Sequence, residues 1–377
     1  MKLPWRSPDD KKSASGLTVA LSQLGAARWG ARDAASLSRD GYLRNVIVHR
    51  CVRMVAEAAA SVPLNTSNDA IRGLLSHPMP EEAGQDFLER IYHQLLIAGN
   101  AYVEAVLIED GGMPSGLQTL RPDRMKAELD PRGWISAWVY KVDRRERTIR
   151  RTDSGWSPIL HLKLFHPEND IYGLPPLAAA RQALDLHNSG ADWAKALLDN
   201  SARPSGALIY GQDGAHMTDE QFQRLQSELM TAHTGPGNAG RPLLLEGGLE
   251  WKPMSLSPAE MDFLEARNGA AREIALAFGV PPMLLGIPGD NTYANYREAN
   301  LAFWRVTVLP MVQRTATAIS HWLSARVESD IELTPVLDRI PALSSEREKL
   351  WARLEAASFI TPDEKRTLAG LPEEGAL

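Results

Sequence analysis

The chain carries one cysteine, Cys51, in 377 residues. That count rules out an internal disulfide and a Cys-rich zinc site, and it fits a reducing, cytoplasmic setting. No apolar run reaches the roughly 18 residues that suggest a membrane span. The N-terminal MKLPWRSPDDKK has charge but lacks the apolar stretch of a signal peptide. Basic charge is also short: 41 Lys and Arg stand against 47 Asp and Glu, for a net charge of −6 and a pI near 5.9. A protein that grips nucleic acid by neutralising phosphates has the opposite balance.

Catalytic signatures are missing too. The chain has no G-x-x-x-x-G-K-[ST], no H-E-x-x-H and no G-x-S-x-G. Gly235-Pro236-Gly237-Asn238-Ala239-Gly240 satisfies G-x-G-x-x-G. It follows a helical pattern and precedes a strand pattern, the reverse of a dinucleotide site, and so reads as a loop. His161 and His166 have no carboxylate or thiol at ligand spacing. No catalytic residue, metal or cofactor is expected, and the chain reads as a non-enzyme.

Hydrophobic residues make up 44% of the chain, enough for a folded protein. Its length suits two or three units or one elongated subunit. Residues 1–40 are rich in Ser, Ala, Arg and Gly, with Trp5 and Trp29 as large anchors, and read as a loosely ordered arm. From Asn45 to Val62, Ile47, Cys51, Met54, Val55 and Ala58 form a helical stripe that Pro63 ends. A second helix over Asp86–Ala98 turns Phe87, Leu88, Ile91, Leu95 and Leu96 inward and stops at Gly99. Ala101–Phe165 then reads as strands: AYVEAVLIED alternates, and turn-separated β segments follow. One antiparallel sheet with helices packed before it, an α+β layer, is expected.

Two lightly furnished rods come next. In Pro175–Asn200 the residues Leu177, Ala180, Leu184, His187, Ala191, Ala194 and Leu198 form one stripe. Arg181, Asp185, Asn188, Asp192, Lys195 and Asp199 form a polar one. The second rod spans 258–278. Ser257, Pro258 and Glu260 compose a capping box, and Met261, Leu264, Asn268, Ala271, Ala275 and Phe278 form its inward stripe. Gly279 and Pro281-Pro282 close it. Between the rods lies a β-α-β unit: SGALIY, a helix over Thr218–Thr231 facing inward with Phe222, Leu225 and Leu229, and RPLLLEGGLEWKPM. After the second rod, Gly286–Tyr296 reads as a loop. A helix over Tyr296–Val308 is expected to break at Pro310, a new one to continue from there, a strand and turn to follow, and a charged helix to span Ser344–Ala357.

The stretch Arg272–Met311, REIALAFGVPPMLLGIPGDNTYANYREANLAFWRVTVLPM, resembles the core signature of the portal proteins of long-tailed phages. Gly99-Asn100-Ala101-Tyr102, Leu120-Arg121-Pro122-Asp123, Ile159–Lys163, Tyr172–Leu177 and Ala202–Gly206 match the same family in the same order, from about Tyr42 to Met311.

The resemblance implies an α+β portal fold and a ring oligomer of about twelve copies. It divides the chain into an N-terminal arm (1–40), an α/β wing (41–175), a first stem helix (176–202), a small β-α-β clip (203–254) and a second stem helix (255–279). A channel loop with wing helices (280–341) and a short helical crown (342–377) complete it. It further implies a virion protein at one capsid vertex, assembled in the bacterial host cytoplasm, of a phage, a prophage or a gene transfer agent. Double-stranded DNA would pass through the ring without sequence reading. The partners implied are the terminase large subunit, a head–tail adaptor and the major capsid protein, with no membrane. Channel candidates are Asn291, Thr292, Tyr293 and Asn295 in the loop and Asp262, Glu265 and Asp199 as acidic rings. Docking candidates in the clip are Glu220, Gln223, Glu228, His233 and Asn238. Another ring-forming head–tail connector is the alternative; an enzyme with an unrecognised site is a third class.

Overall fold

The structure, a computed structural model, describes residues 38–106, 112–199, 206–210, 218–220, 223–224, 227, 249–253, 263–288, 293–327 and 329–370. The arm up to residue 37 and the capping box at Ser257–Glu260 lie outside them.

A π-helical turn, Ser38–Leu43, leads into α1 (Val46–Ala60). The Asn45 side chain caps α1 by accepting from the Ile47 and Val48 amides. Val48, Cys51, Val52, Val55, Ala56 and Ala59 of this helix are fully buried. Ile47, Met54 and Ala58 are only half-buried. The inward face is therefore rotated and wider than the predicted stripe, because helices pack against α1 from several sides.

The two-residue β1 (Leu64–Asn65) and α2 (Asp69–Ser76) follow. The sequence reading missed α2, which Asn68 caps through the Ile71 amide. Helix α3 (Gly84–Ala98) buries the expected Phe87, Leu88, Ile91, Leu95 and Leu96. Gly99 ends it at a φ of 70°; a Cβ there would lie 2.6 Å from the Leu174 carbonyl carbon. Only glycine fits that close approach.

The β region holds two sheets rather than one. In the first, β2 (Asn100–Val106) lies between β3 (Gly116–Leu120) and β7 (Ile159–Lys163). In the second, β5 (Ile135–Val142) lies between β4 (Met125–Leu129) and β6 (Arg145–Arg150). All these pairings are antiparallel. The predicted alternation of β2 fails because both of its faces are covered, one by the second sheet and one by α3, and its residues Asn100–Ala105 are all buried. A small core of Tyr102, Leu120, Met125, Trp138, Ile149 and Ile159 joins the sheets. Glu104 (6% exposed) meets Arg147 of β6 in a bidentate pair at 2.7 and 2.6 Å.

The first rod is two helices, α4 (Pro176–Ala179) and α5 (Arg181–Asp199), with Ala180 between them. Strands β8 (Gly206–Tyr210) and β9 (Leu249–Pro253) pair antiparallel. The second rod is α6 (Phe263–Ala277). A 3-10 turn, Pro282–Leu285, follows it.

Then α7 (Tyr293–Ala302), a π-helical segment (Phe303–Val308) and α8 (Leu309–Val327) run on as one continuous rod. Pro310 does not break it. Proline lacks the amide proton and crowds the carbonyl four residues back, and the wider π turn just before it relaxes that conflict. Finally β10 (Thr334–Pro335) pairs with β1, and α9 (Ser344–Ala356) and α10 (Pro362–Ala369) pack together. Thr361 and Glu364 form a capping box on α10.

Candidate functional site

The candidate site is the pair of rods, their root in the core, and the segments at their ends. Helices α5 and α6 pack on each other. On α4 and α5 the predicted stripe holds at its start: Leu177, Ala180, Leu184 and His187 are buried, joined by Ala183 and Gly190. Ala191 and Ala194 are half-buried. On α6 burial starts later, at Ala270, and continues through Ala271, Ile274, Ala275 and Phe278. Leu264 (72% exposed) and Asn268 are exposed, which corrects the predicted stripe. This part of the rod reaches beyond the core of its own subunit.

A polar junction roots α5. His187 is 5% exposed and Asn45 is 2% exposed. The Asn45 amide donates to Asn188 Oδ1 at 2.8 Å and lies 3.0 Å from His187 Nδ1. Asn188 donates to the Asp40 carbonyl at 2.8 Å. Arg44 holds both oxygens of Asp192, at 2.7 and 2.5 Å. Burial, and then the Arg267 charge on α6, push the His187 pKa down. The sequence reading placed His187 in an apolar stripe without seeing this junction; a lone polar residue in such a stripe was the available signal.

The far end of α6 is pinned to the long rod. Gly279 has a φ of 66°, and Thr307, inside the π segment, donates to its carbonyl at 2.6 Å. Arg272 donates to the Pro288 carbonyl. Arg305 reaches Glu346 of α9 at 2.9 Å. None of these contacts was legible beforehand.

The predicted site residues fall unevenly. Glu265 is exposed on α6. Asp199 is exposed, but Lys195 one turn back holds it at 2.5 Å, which offsets its charge. Tyr293 and Asn295 belong to α7, not to a loop, because the helix starts earlier than read; Asn295 is exposed. Glu220 and Gln223 are exposed and helical. Asn291, Thr292, Asp262, Glu228, His233 and Asn238 lie outside the described residues, as do Phe222, Leu225 and Leu229.

Among the described residues no group of His, Cys, Asp or Glu could hold a metal, and no helix is long and apolar enough to cross a membrane. His161 stacks on Tyr102 with ring centroids 4.6 Å apart, and its Nε2 lies 2.9 Å from Asn100 Oδ1. Burial, aided by Lys163, pushes its pKa down to about 3. A half-open cleft of roughly 850 Å³ lies between the turn after β6 and helix α8. Trp156 and Trp322 stack 5.2 Å apart in its wall.

Comparison with known proteins completes the picture. A family model described as Phage portal protein matches residues 46–370. A Rickettsia bellii protein of unassigned function is 43% identical over 344 residues, covering 89% of this chain and 88% of its own. The portal protein of Enterobacteria phage HK97 is 25% identical over 305 residues, covering 77% of this chain and 69% of its own. A chain in a solved structure described as the neck of a native gene transfer agent particle, computed with C12 symmetry, is 49% identical. The alignment has a TM-score of 0.70 and covers 94% of this chain and 99% of that one.

Proposed function

Because the chain belongs to the phage portal protein family, we propose that it forms a ring at one vertex of a capsid, the passage through which double-stranded DNA enters and leaves. The observation that carries this reading is the 49% identity with the chain of the gene transfer agent neck, at nearly full coverage. The twelvefold symmetry of that neck supports a ring of twelve copies. A head-to-tail contact that closes on itself gives such a ring.

In this reading α5 and α6 are the stem. Strands β8 and β9 with the helical residues around Glu220 are the clip, and α9 with α10 is a short crown. Rooting α5 on the cap of α1 gives the stem a stiff base. Glu265, exposed on α6, contributes an acidic ring, with Asp262 beside it in sequence and Asp199 partly offset by Lys195. DNA carries one charge per about 1.7 Å of axis, so an acidic lining keeps it centred and unbound. Asn291, Thr292, Tyr293 and Asn295 would touch phosphate or sugar without reading sequence. Glu220, Gln223, Glu228, His233 and Asn238 would meet the terminase large subunit during packaging and a head–tail adaptor afterwards, while the wing meets the major capsid protein. The role is structural, not enzymatic, and assembly takes place in the bacterial cytoplasm.

Particles made by cells that carry an epitope-tagged copy test the reading. Gold-labelled antibody is expected at one vertex per particle. Label at all vertices, or at none, contradicts it.

A further inference from the structure

Two pairs of aliphatic side chains stand out in water. Leu43 (73% exposed) ends the first π-helical turn, and Val46 (65%) opens α1. Leu276 (77%) lies near the end of α6, and Val306 (75%) in the later π-helical segment. Hydrogen bonds tie the second pair together. The Gly279 amide donates to the Leu276 carbonyl at 3.0 Å, and the Gly279 carbonyl accepts from Thr307, next to Val306, at 2.6 Å. Clustered apolar residues left in water mark a contact surface.

The two pairs look in opposite directions. Helix α1 turns Val48, Val52 and Val55 into the core, where it packs on α6, α8 and the π-helical segment. At about 100° per residue, Val46 and Arg50 fall on the face of α1 turned away from those elements. On the other side of the same core, Phe303 and Val308 of the π-helical segment and Ile274 and Ala275 of α6 are buried. Val306 and Leu276 face outward from there. Each pair also carries a charge of its own sign. Arg50 stands one turn from Val46, and Glu273 one turn from Leu276. Both are exposed, and neither forms an ion pair among the described residues.

We propose that these two surfaces meet between neighbouring copies of the chain. Leu43 and Val46 of one copy pack on Leu276 and Val306 of the next, and Arg50 of the first faces Glu273 of the second at the rim. The inference rests on the portal reading for the ring itself. A ring closes through a head-to-tail contact, in which two different surfaces of the chain fit each other. Two patches on opposite sides of one core meet that condition. A twofold contact through either patch alone would set like charges together, Arg50 near Arg50 or Glu273 near Glu273. An apolar centre with a charged rim is the ordinary anatomy of a protein interface, and opposite charges decide which surfaces pair. Glu265 stands about 16 Å further along α6 from Leu276, at 1.5 Å per residue, so the contact does not cover it.

Cross-linking tests the contact in the assembled full-length protein. The native Cys51 is buried, and burial pushes its thiol pKa up, so it stays inert. Rings carrying both Val46→Cys and Leu276→Cys are checked by native mass and treated with a short bismaleimide. A denaturing gel is expected to show a ladder of multiples of the chain, while each single substitution leaves monomers. An intact ring whose doubly substituted chains stay monomeric, or link only within one chain, overturns the inference and leaves the ring in place. So does a ladder from a single substitution, which means that like surfaces meet. Charge exchange is the second readout, and it decides should the cysteine variant fail to assemble. Arg50→Glu and Glu273→Arg are each expected to raise the concentration at which the ring dissociates by at least about threefold, and the double exchange to restore it. Losses that add in the double variant overturn the pairing. A wild-type chain that forms no ring contradicts the portal reading, and this inference falls with it.

Discussion

Asn45 holds His187 in one protonation state. The Asn45 oxygen is committed to the Ile47 and Val48 amides, so its amide must present N–H groups to His187 Nδ1, 3.0 Å away. That nitrogen is then an acceptor, and an imidazolium has none. Burial and Arg267 already press the pKa down. The unfolded chain therefore takes up a proton near pH 6.5 while the folded chain does not. The stability this junction contributes is complete above that pH and is lost as pH falls toward the folded value. Thermal melts of wild type and His187→Gln should diverge most at neutral pH and converge on acidification; a constant gap contradicts the account.

His161 follows the same sign over a wider window. Its folded pKa of about 3 means stability drains between pH 6.5 and pH 3, by about 2 kcal/mol at pH 5. His161→Phe keeps a ring against Tyr102 and removes the titration. Its denaturation midpoint should vary less with pH than the wild type's, as read by urea unfolding at pH 7 and pH 5.

Arg147 and Glu104 should respond unequally to truncation. Glu104 is buried and Arg147 is half-exposed. Arg147→Ala strands a buried carboxylate with Gln118 as its remaining side-chain donor, at about 2–3 kcal/mol. Glu104→Ala lets the arginine swing into water and is expected to cost less. Urea midpoints of the two variants decide the order.

Gly279 and Thr307 form a testable couple. A Cβ on residue 279 would lie 2.5 Å from Thr307 Oγ1, and the φ there is left-handed. Gly279→Ala should destabilise by about 1–3 kcal/mol. Thr307→Ala removes the clashing atom, so the double variant should cost less than the sum of the singles by at least about 0.5 kcal/mol. Additive losses would mean that the strain is all in the backbone.

How much of this was legible in the sequence depends on which neighbours a residue has. The start of the α4–α5 stripe, Leu177 through His187, could be read because one partner face decides its burial. Leu264 and Asn268 fit a stripe by spacing, yet they are exposed, with no cover from the described residues of their own subunit. Strand β2 alternates in letters but is buried on both faces, because a second sheet, a long-range feature, lies over it. Pro310 reads locally as a break, and only the preceding π turn shows how the helix passes it. The net charge of −6 averages over the Arg121–Arg151 segment, where ten Lys or Arg stand against five Asp or Glu. The family order was legible because it rests on a string of turn and cap residues rather than on packing. The channel lining was not, since it depends on how copies meet.

The reading of Glu265 can be tested in particles. Glu265→Lys puts a cation on the proposed channel face of every subunit. Ring mass should stay the same, while DNA-filled particles fall by roughly tenfold as the duplex is held in passage. Unchanged filling places Glu265 away from the channel.

The central claim is that copies of this chain close into a ring, and the mass of the purified protein measures that most directly. Native mass spectrometry is expected to show twelve copies of the 41.5 kDa chain, with stained images showing a central hole. A species that stays monomeric at high concentration and has no affinity for a terminase large subunit would contradict the account.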